Sequence, residues 1–268
     1  MKTRRLAVAV CFLIPLSLEA NDIEPGKEFQ SVFPATNPIV LDGNLSEWSS
    51  PAIVNPRFSI PKGSGPAGQL VSFEPYAGGD WTGPDDHTFS LQILFDALNV
   101  YLGVTVTDEY HEHAQATSWN GDAVQIMVAD PTRSFQLALY NYALGGVEGA
   151  LGSVIIDHES GPGGTDAVVT RDSLTHRTTY EIKLPKESLG IDTLTQGVQF
   201  GLGMCVNDGD QATPGQTGWS GLGPHALVFG KTPSETAQVT LAPEPGSLGL
   251  SMTAALGAMA MRRRKRQG

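Results

Sequence analysis

From Val198 to Val206 the chain places an apolar side chain at every second position: Val198, Phe200, Leu202, Met204, Val206. Only an extended strand with one buried face uses that period, because successive side chains of a strand point to opposite faces while a helix repeats every 3.6 residues. The pattern recurs in Phe89, Leu91, Ile93 and Phe95, and after a turn at 96–99 in Val100, Leu102, Val104 and Val106, so residues 89–107 read as a hairpin. Val124, Ile126 and Val128 continue it, as do Phe135, Leu137 and Leu139, and Tyr180, Ile182 and Leu184. Gly, Pro, Asn and Asp separate these runs, and no long segment has helical period. Many one-faced strands with no repeat period predict an all-β fold, a two-sheet antiparallel β-sandwich. Residues 51–86 break the alternation and read as a Pro- and Gly-rich insertion over the sandwich, its Phe73, Tyr76 and Trp81 being either functional or a cover for a core edge. Residues 157–166 read as a flexible connection.

The two ends have a different character. Lys2, Arg4 and Arg5 precede an apolar run from Leu6 to Leu18, followed by Ala20 at a cleavage position, the layout of a secretory signal peptide over residues 1–20. Residues 21–37 read as a linker, 38–242 as the sandwich and 243–268 as a sorting tail. In that tail Pro243, Glu244 and Pro245 are followed by an uncharged stretch to Met261 and then by Arg262, Arg263, Arg264, Lys265 and Arg266. As a helix the stretch would reach about 24 Å, short of a hydrocarbon core of roughly 30 Å, with a basic end that resists translocation. The triplet, the short apolar stretch and the basic end together resemble the PEP-CTERM sorting signal. That resemblance implies a transient inner-membrane association, processing by an exosortase, and delivery to the cell envelope or extracellular matrix.

Charge narrows the partners. Of the 17 basic residues three lie in the N-terminal segment and five in the C-terminal run, whereas only one of the 28 acidic residues lies in either, so the chain between carries a net charge of −18. Such a surface repels nucleic acid and anionic lipid and suits a neutral partner or a cation. Cys11 falls in the signal segment, which leaves Cys205 alone and rules out an intrachain disulfide in the mature chain. No Gly-x-Ser-x-Gly elbow, phosphate loop or His-Glu-x-x-His segment occurs. Paired glycosidase carboxylates leave no sequence signature, so catalysis is not excluded on that ground alone.

Several short stretches then fall in order. Ile39–Trp48 reads IVLDGNLSEW, Leu98–Asp108 reads LNVYLGVTVTD, Ser118–Ile126 reads SWNGDAVQI, Tyr180–Pro185 reads YEIKLP, and Gly201–Asp210 closes on Asn207, Asp208 and Asp210 before Trp219-Ser220 and Phe229-Gly230. Over residues 39–241 this series resembles the family 9 carbohydrate-binding modules and their DOMON-like relatives. The resemblance implies a β-sandwich without catalytic residues, structural calcium, an oligosaccharide or polysaccharide partner, and a sugar site walled by two tryptophans. A pyranose offers C–H groups to an aromatic face while its hydroxyls need fixed donors and acceptors. On this reading Trp119 is one wall, and Asp122, Gln125, Asn207, Trp219 and His225 are further saccharide-binding candidates. The chain departs from the pattern at 223–228, which holds His225 and no large aromatic, at Gln125, where the family has Glu, and at 136–140, where an expected Arg is missing. The alternatives are an extracellular-matrix protein without a sugar pocket, or a protein accompanying glycoside hydrolases.

Oxygen-rich turns suggest a hard cation. Asn207, Asp208 and Asp210 crowd one loop and are the calcium candidates, with Asp85, Asp86 and Asp108 as additional ligands. The triplet His111, Glu112, His113 reads as an exposed polar loop rather than a zinc site, since no third ligand follows from spacing.

Overall fold

The computed structural model describes residues 29–48, 53–54, 73–114, 117–211 and 213–243. The signal segment with Ala20, the sorting residues Glu244 and Pro245, and most of the insertion lie outside the described residues, whereas Pro243 lies just inside. Among the described residues the regular structure is all strand apart from three single-turn 3-10 segments. In chain order the strands are β1 (Phe29–Pro34), β2 (Ile53–Val54), β3 (Glu74–Pro75), β4 (Thr88–Phe95), β5 (Asn99–Thr107), β6 (Glu112–His113) and β7 (Ala123–Ala129). They continue as β8 (Gln136–Val147), β9 (Ala150–Ser160), β10 (Asp166–Asp172), β11 (Arg177–Pro185), β12 (Gln199–Asp210), β13 (Thr213–Leu222) and β14 (Ala237–Leu241).

The all-β expectation is borne out. The strands form one hydrogen-bonded path in the order β10-β11-β5-β4-β1-β14-β12-β7-β8-β6, with β2 on β4, β9 on β8, β13 on β12 and β3 on β13. β1 joins the two halves of the path, pairing through Phe29–Val32 with β14 and through Phe33 and Pro34 with β4. Both of its pairings are parallel, and every other pairing among the described residues is antiparallel. Residues 29–34, expected to belong to a linker, are thus part of the fold.

The path curls over one core. Leu91, Val104 and Ile182 from the β4-β5-β11 half share a buried cluster with Ile126, Tyr140 and Met204 from the β7-β8-β12 half. Each such side chain contributes about 1.5–3 kcal/mol when fully buried. On β8 the sequence pattern misleads: Phe135 is exposed, and the inward residues are Ala138, Tyr140, Tyr142 and Leu144. The two tyrosines are accepted because their hydroxyls are satisfied, Tyr140 donating to Pro162 O and meeting Ser188 Oγ, Tyr142 meeting Thr165 Oγ1. The expected flexible connection at 157–166 begins later, because β9 runs through Ser160.

Residues 39–48 close the outer face of the β4-β5-β11 half. Trp48 is buried with Leu94 and Tyr101, its ring edge-on to Tyr101 at 6.5 Å. Its indole Nε1 donates to Glu181 Oε1 at 3.0 Å, and the backbone N–H groups of Asp42 and Gly43 donate to Glu181 Oε2. Gly43 holds φ of 87° and sits against Thr170, a place where a side chain would be both strained and obstructed. This stretch is a structural plug.

Candidate saccharide cleft and acidic cluster

The β7-β8-β12 half has a second, outward face, and there the same period of two places Gln125 on β7, Asn141 on β8 and Asn207 on β12 side by side. They form a chain of side-chain hydrogen bonds across the sheet. Gln125 Nε2 donates to Asn141 Oδ1 at 2.9 Å, Asn207 Nδ2 to Gln125 Oε1 at 3.3 Å, and Gln216 Nε2 to Asn207 Oδ1 at 2.8 Å. At the β9 end Asn141 Nδ2 donates to Glu159 Oε1 at 2.8 Å. Amides locked in this way present donors and acceptors in fixed directions, at little entropic cost on binding.

Above this row opens a cleft of about 400 Å³, within the range of small-molecule sites. Tyr76, Trp119, Trp219 and Phe229 supply its aromatic lining, and Gln125, Gln216, Glu159 and Lys231 its polar lining. Trp219 forms the base, buried at 2% exposure, with Tyr76 and Phe229 packed against it at centroid distances of 5.5 and 5.4 Å. Its Nε1 is buried and has no hydrogen-bond partner among the described residues, a state that costs about 1–3 kcal/mol unless a ligand accepts the hydrogen bond. Trp119 is 38% and Phe229 78% exposed. Phe229 also holds φ of 58°, the left-handed region that a bulky residue rarely adopts. The fold therefore presents an apolar ring in a backbone conformation unfavourable to it. Trp119 is fixed from behind, its carbonyl accepting from Asn207 Nδ2 at 2.7 Å.

The sequence-derived candidates separate into three groups. Trp119, Gln125 and Trp219 line the cleft, and Asn207 lies beneath it as the brace between Gln125, Gln216 and Trp119. His225 lies outside the cleft lining, half-buried and paired through Nε2 with Glu74 Oε2 at 2.8 Å. Asp122 turns inward, away from the cleft. Tyr76 and Phe229 were not singled out as walls from sequence. An aromatic isolated among Gly and Pro has no periodicity to mark it, although Phe229 next to Gly230 did stand out as a motif.

Asp122 belongs to a second cluster. Asp108, Asp122 and Asp208 offer carboxylate oxygens that all lie within 4.8 Å of one another, and all three are buried. Each is the next inward position of its strand, beyond Val106 of β5, before Val124 of β7 and beyond Val206 of β12. Burial, then the neighbouring Asp122 carboxylate, push Asp108 up to about 11, and burial holds Asp122 well above the ordinary carboxylate range. Asp122 also accepts from the Glu112 and Gly209 N–H groups at 2.8 and 2.7 Å. Nearby histidines meet two of the acids: His87 Nδ1 lies 3.0 Å from Asp208 Oδ1, and His111 Nδ1 lies 3.0 Å from Asp122 Oδ2. Burial lowers His87, but the Asp208 carboxylate outweighs it and leaves the ring above its usual value. Three converging buried carboxylates are the donor set of a hard dication. Of the calcium candidates only Asp208 and Asp108 join this cluster. Asn207 points to the opposite face because it neighbours Asp208 on one strand, and Asp210 lies beyond, half-exposed.

The triplet expected as an exposed loop is buried instead. His111, Glu112 and His113 are 0%, 3% and 2% exposed, and β6 pairs with β8. Glu112 is used by the backbone, accepting from Ala114 N and Gly215 N at 2.9 and 2.8 Å, and His111 Nε2 lies 2.7 Å from Leu144 O. From the insertion, Phe73 is fully buried over Gly218, where a Cβ would lie 1.9 Å from its ring, and Trp81 donates to His87 O at 2.8 Å. Only Tyr76 of the three reaches the cleft.

Comparison with known proteins agrees with this architecture. A family 9 carbohydrate-binding module from Caldicellulosiruptor kristjanssonii in complex with glucose is similar at a TM-score of 0.54 and 12% identity, over 80% of this chain and 97% of that one. The module from the same organism in complex with cellotriose is similar at a TM-score of 0.50 and 13% identity, over 80% and 95%. At such identities the likeness is one of fold. No curated protein matches the sequence. Residues 69–226 match the family described as Carbohydrate family 9 binding domain-like, and the chain belongs to that family.

Proposed function

We propose that this chain binds a saccharide without catalysis, in the cleft between Trp119 and Phe229. The observation that carries the reading is the combination of exposed aromatic rings, a locked amide floor and the unpaired indole N–H of Trp219 around one space. A pyranose ring stacks its C–H face on the aromatics, its hydroxyls exchange hydrogen bonds with Gln125, Gln216 and Glu159, and one ring or hydroxyl oxygen accepts from Trp219. The similar modules from Caldicellulosiruptor kristjanssonii hold glucose and cellotriose, which makes those sugars the first to try. Calorimetric titration of the full chain with cellotriose is expected to give saturable binding, weakened about tenfold or more by Trp119→Ala. Absence of binding, or binding indifferent to Trp119, would refute the assignment.

The acidic cluster is proposed to hold calcium through Asp108, Asp122 and Asp208. The ion would neutralise the buried carboxylates and tie the ends of β5, β7 and β12 together beneath the loop that carries Trp119. We infer that the curled path is a two-sheet sandwich, as the family 9 and DOMON-like resemblance implies. Export and sorting rest on the chain ends alone: the signal layout of residues 1–20, and Pro243-Glu244-Pro245 before the apolar stretch and basic tail. An exosortase-processed envelope or matrix protein would place a sugar-binding cleft within polysaccharide. If Glu244→Ala left processing of the tail unchanged, that part of the proposal would fail.

A further inference from the structure

Trp119 is shared by two cavities. Beyond it, away from Trp219, lies a second, more open cleft of about 520 Å³ bounded by Thr117, Ser118, Ile155, Ile156 and Asp157, and both Trp119 and Glu159 line this space as well as the first. Its outer wall is β9, which among the described residues pairs only with β8 and is exposed along most of its length. An exposed edge of this kind ordinarily carries charges that discourage association, yet here it sets Ile155, which shares the face of Asp157 and Asn141, beside Trp119 at 38% exposure. Polar groups are set among these apolar surfaces. Ser118 Oγ donates to Asp157 Oδ2 at 2.5 Å, and Asn141 Nδ2 reaches Asp157 Oδ2 at 3.2 Å as well as Glu159 Oε1 at 2.8 Å. The amide that braces Gln125 in the first cleft therefore also orients both carboxylates of the second.

We propose that these two spaces are adjacent subsites of one binding surface, so that the chain recognises an oligosaccharide with one ring in the aromatic cleft and the next on the β9 flank of Trp119. This rests on the saccharide reading of the first cleft and extends it to a ligand class. The flank is sized for a further ring. Its apolar strip can receive a C–H face, and an ionised carboxylate keeps acceptor sites free after two hydrogen bonds, suited to hydroxyl donors. Among the described residues neither Asp157 nor Glu159 takes part in an ion pair. The flank thus selects neutral sugars and repels uronates, in keeping with the acidity of the whole chain.

The test is calorimetric titration of the full chain with glucose, cellotriose and the cellouronic acid trisaccharide, which differs from cellotriose by its C6 carboxylates. Cellotriose is expected to bind about tenfold more tightly than glucose, a second contact set being worth roughly that factor, and the uronic trisaccharide at least about tenfold more weakly than cellotriose. Asp157→Ala and, separately, Ile155→Ser are expected to close most of the gap between cellotriose and glucose while shifting glucose affinity less than about twofold. Equal affinity for glucose and cellotriose would overturn the second subsite and leave the single-ring reading standing. A gap that survives both substitutions would remove the subsite from β9, and equal binding of the uronic trisaccharide would overturn the charge selection. Binding of neither glucose nor cellotriose would sink the saccharide reading itself.

Discussion

Two tryptophans on opposite outer faces of this molecule show how the same side chain serves structure or recognition. Trp48 is sealed at 4% exposure, and its indole N–H is consumed by Glu181, which also gathers the Asp42 and Gly43 backbone donors. Trp219, buried at least as deeply, leaves its Nε1 without a partner among the described residues, and around it stand Trp119, Phe229 and Tyr76 with exposed faces. Burial alone does not separate the two regions. What separates them is whether the polar atom at the base has been satisfied by the fold, because an unmet buried donor is a cost that only a ligand or ordered solvent relieves. Both regions lie in motifs of the family 9 resemblance, so motif matching by itself treats them alike.

Substitutions can break that contrast. The largest effect is expected at the plug. Glu181→Ala leaves the Trp48 indole and two backbone N–H groups without an acceptor, which should cost on the order of 3 kcal/mol and lower the Tm by about 10 °C, with sugar affinity unchanged. A loss of affinity without a loss of stability would invert the assignment of the two regions. Next comes the acidic cluster. If calcium is bound at about a hundred times its Kd, chelation should remove roughly 2.7 kcal/mol of stability.

The cluster also fixes the sign of the pH response without metal. Asp108 and Asp122 have folded pKa values raised above those of the unfolded chain, so the folded state holds more protons between about pH 4 and 11. Stability of the metal-free protein should therefore fall as pH rises through this window. Calcium should flatten or reverse that slope, which thermal melts at several pH values with and without the ion would measure. Identical slopes would separate calcium from the cluster.

The cleft substitutions are smaller in energy and leave the fold intact. Trp119→Ala should shift the Tm by no more than about 2 °C, while its tenfold effect on affinity corresponds to about 1.4 kcal/mol. Phe229→Gly should be milder, weakening sugar binding about threefold through the lost ring edge. Glycine accepts the left-handed backbone at that position, so its Tm should remain within about 2 °C of the parent. A large loss of stability in either variant would show that these rings belong to the core.

Much of the strand framework was legible because β4, β5, β11 and β12 each bury one face against a shared core, which forces strict alternation. β13 was not, since its glycines answer to close approach rather than to a face: at Gly218 a Cβ would strike the Phe73 ring, and at Gly221 it would lie 2.0 Å from Met204 O. β9 escaped because an edge strand exposed on both faces needs no pattern. Trp119 was visible through its motif, whereas Tyr76 and Phe229 come from irregular segments that only the folded chain brings to Trp219. The acidic trio carried a signal that was overlooked. Asp108, Asp122 and Asp208 keep the parity of the inward residues of their strands, and reading them with that parity separates Asp208 from Asn207 at once.

The indole N–H region of a 15N-labelled sample resolves the central contrast directly, since the chain has four tryptophans and each contributes one signal. On titration with cellotriose the Trp219 and Trp119 signals should move with a common saturation curve. Those of Trp48 and Trp81, whose N–H groups are already held by Glu181 and by His87 O, should stay in place. A spectrum in which Trp219 and Trp119 do not respond to the sugar, or in which Trp48 moves with them, would contradict the account.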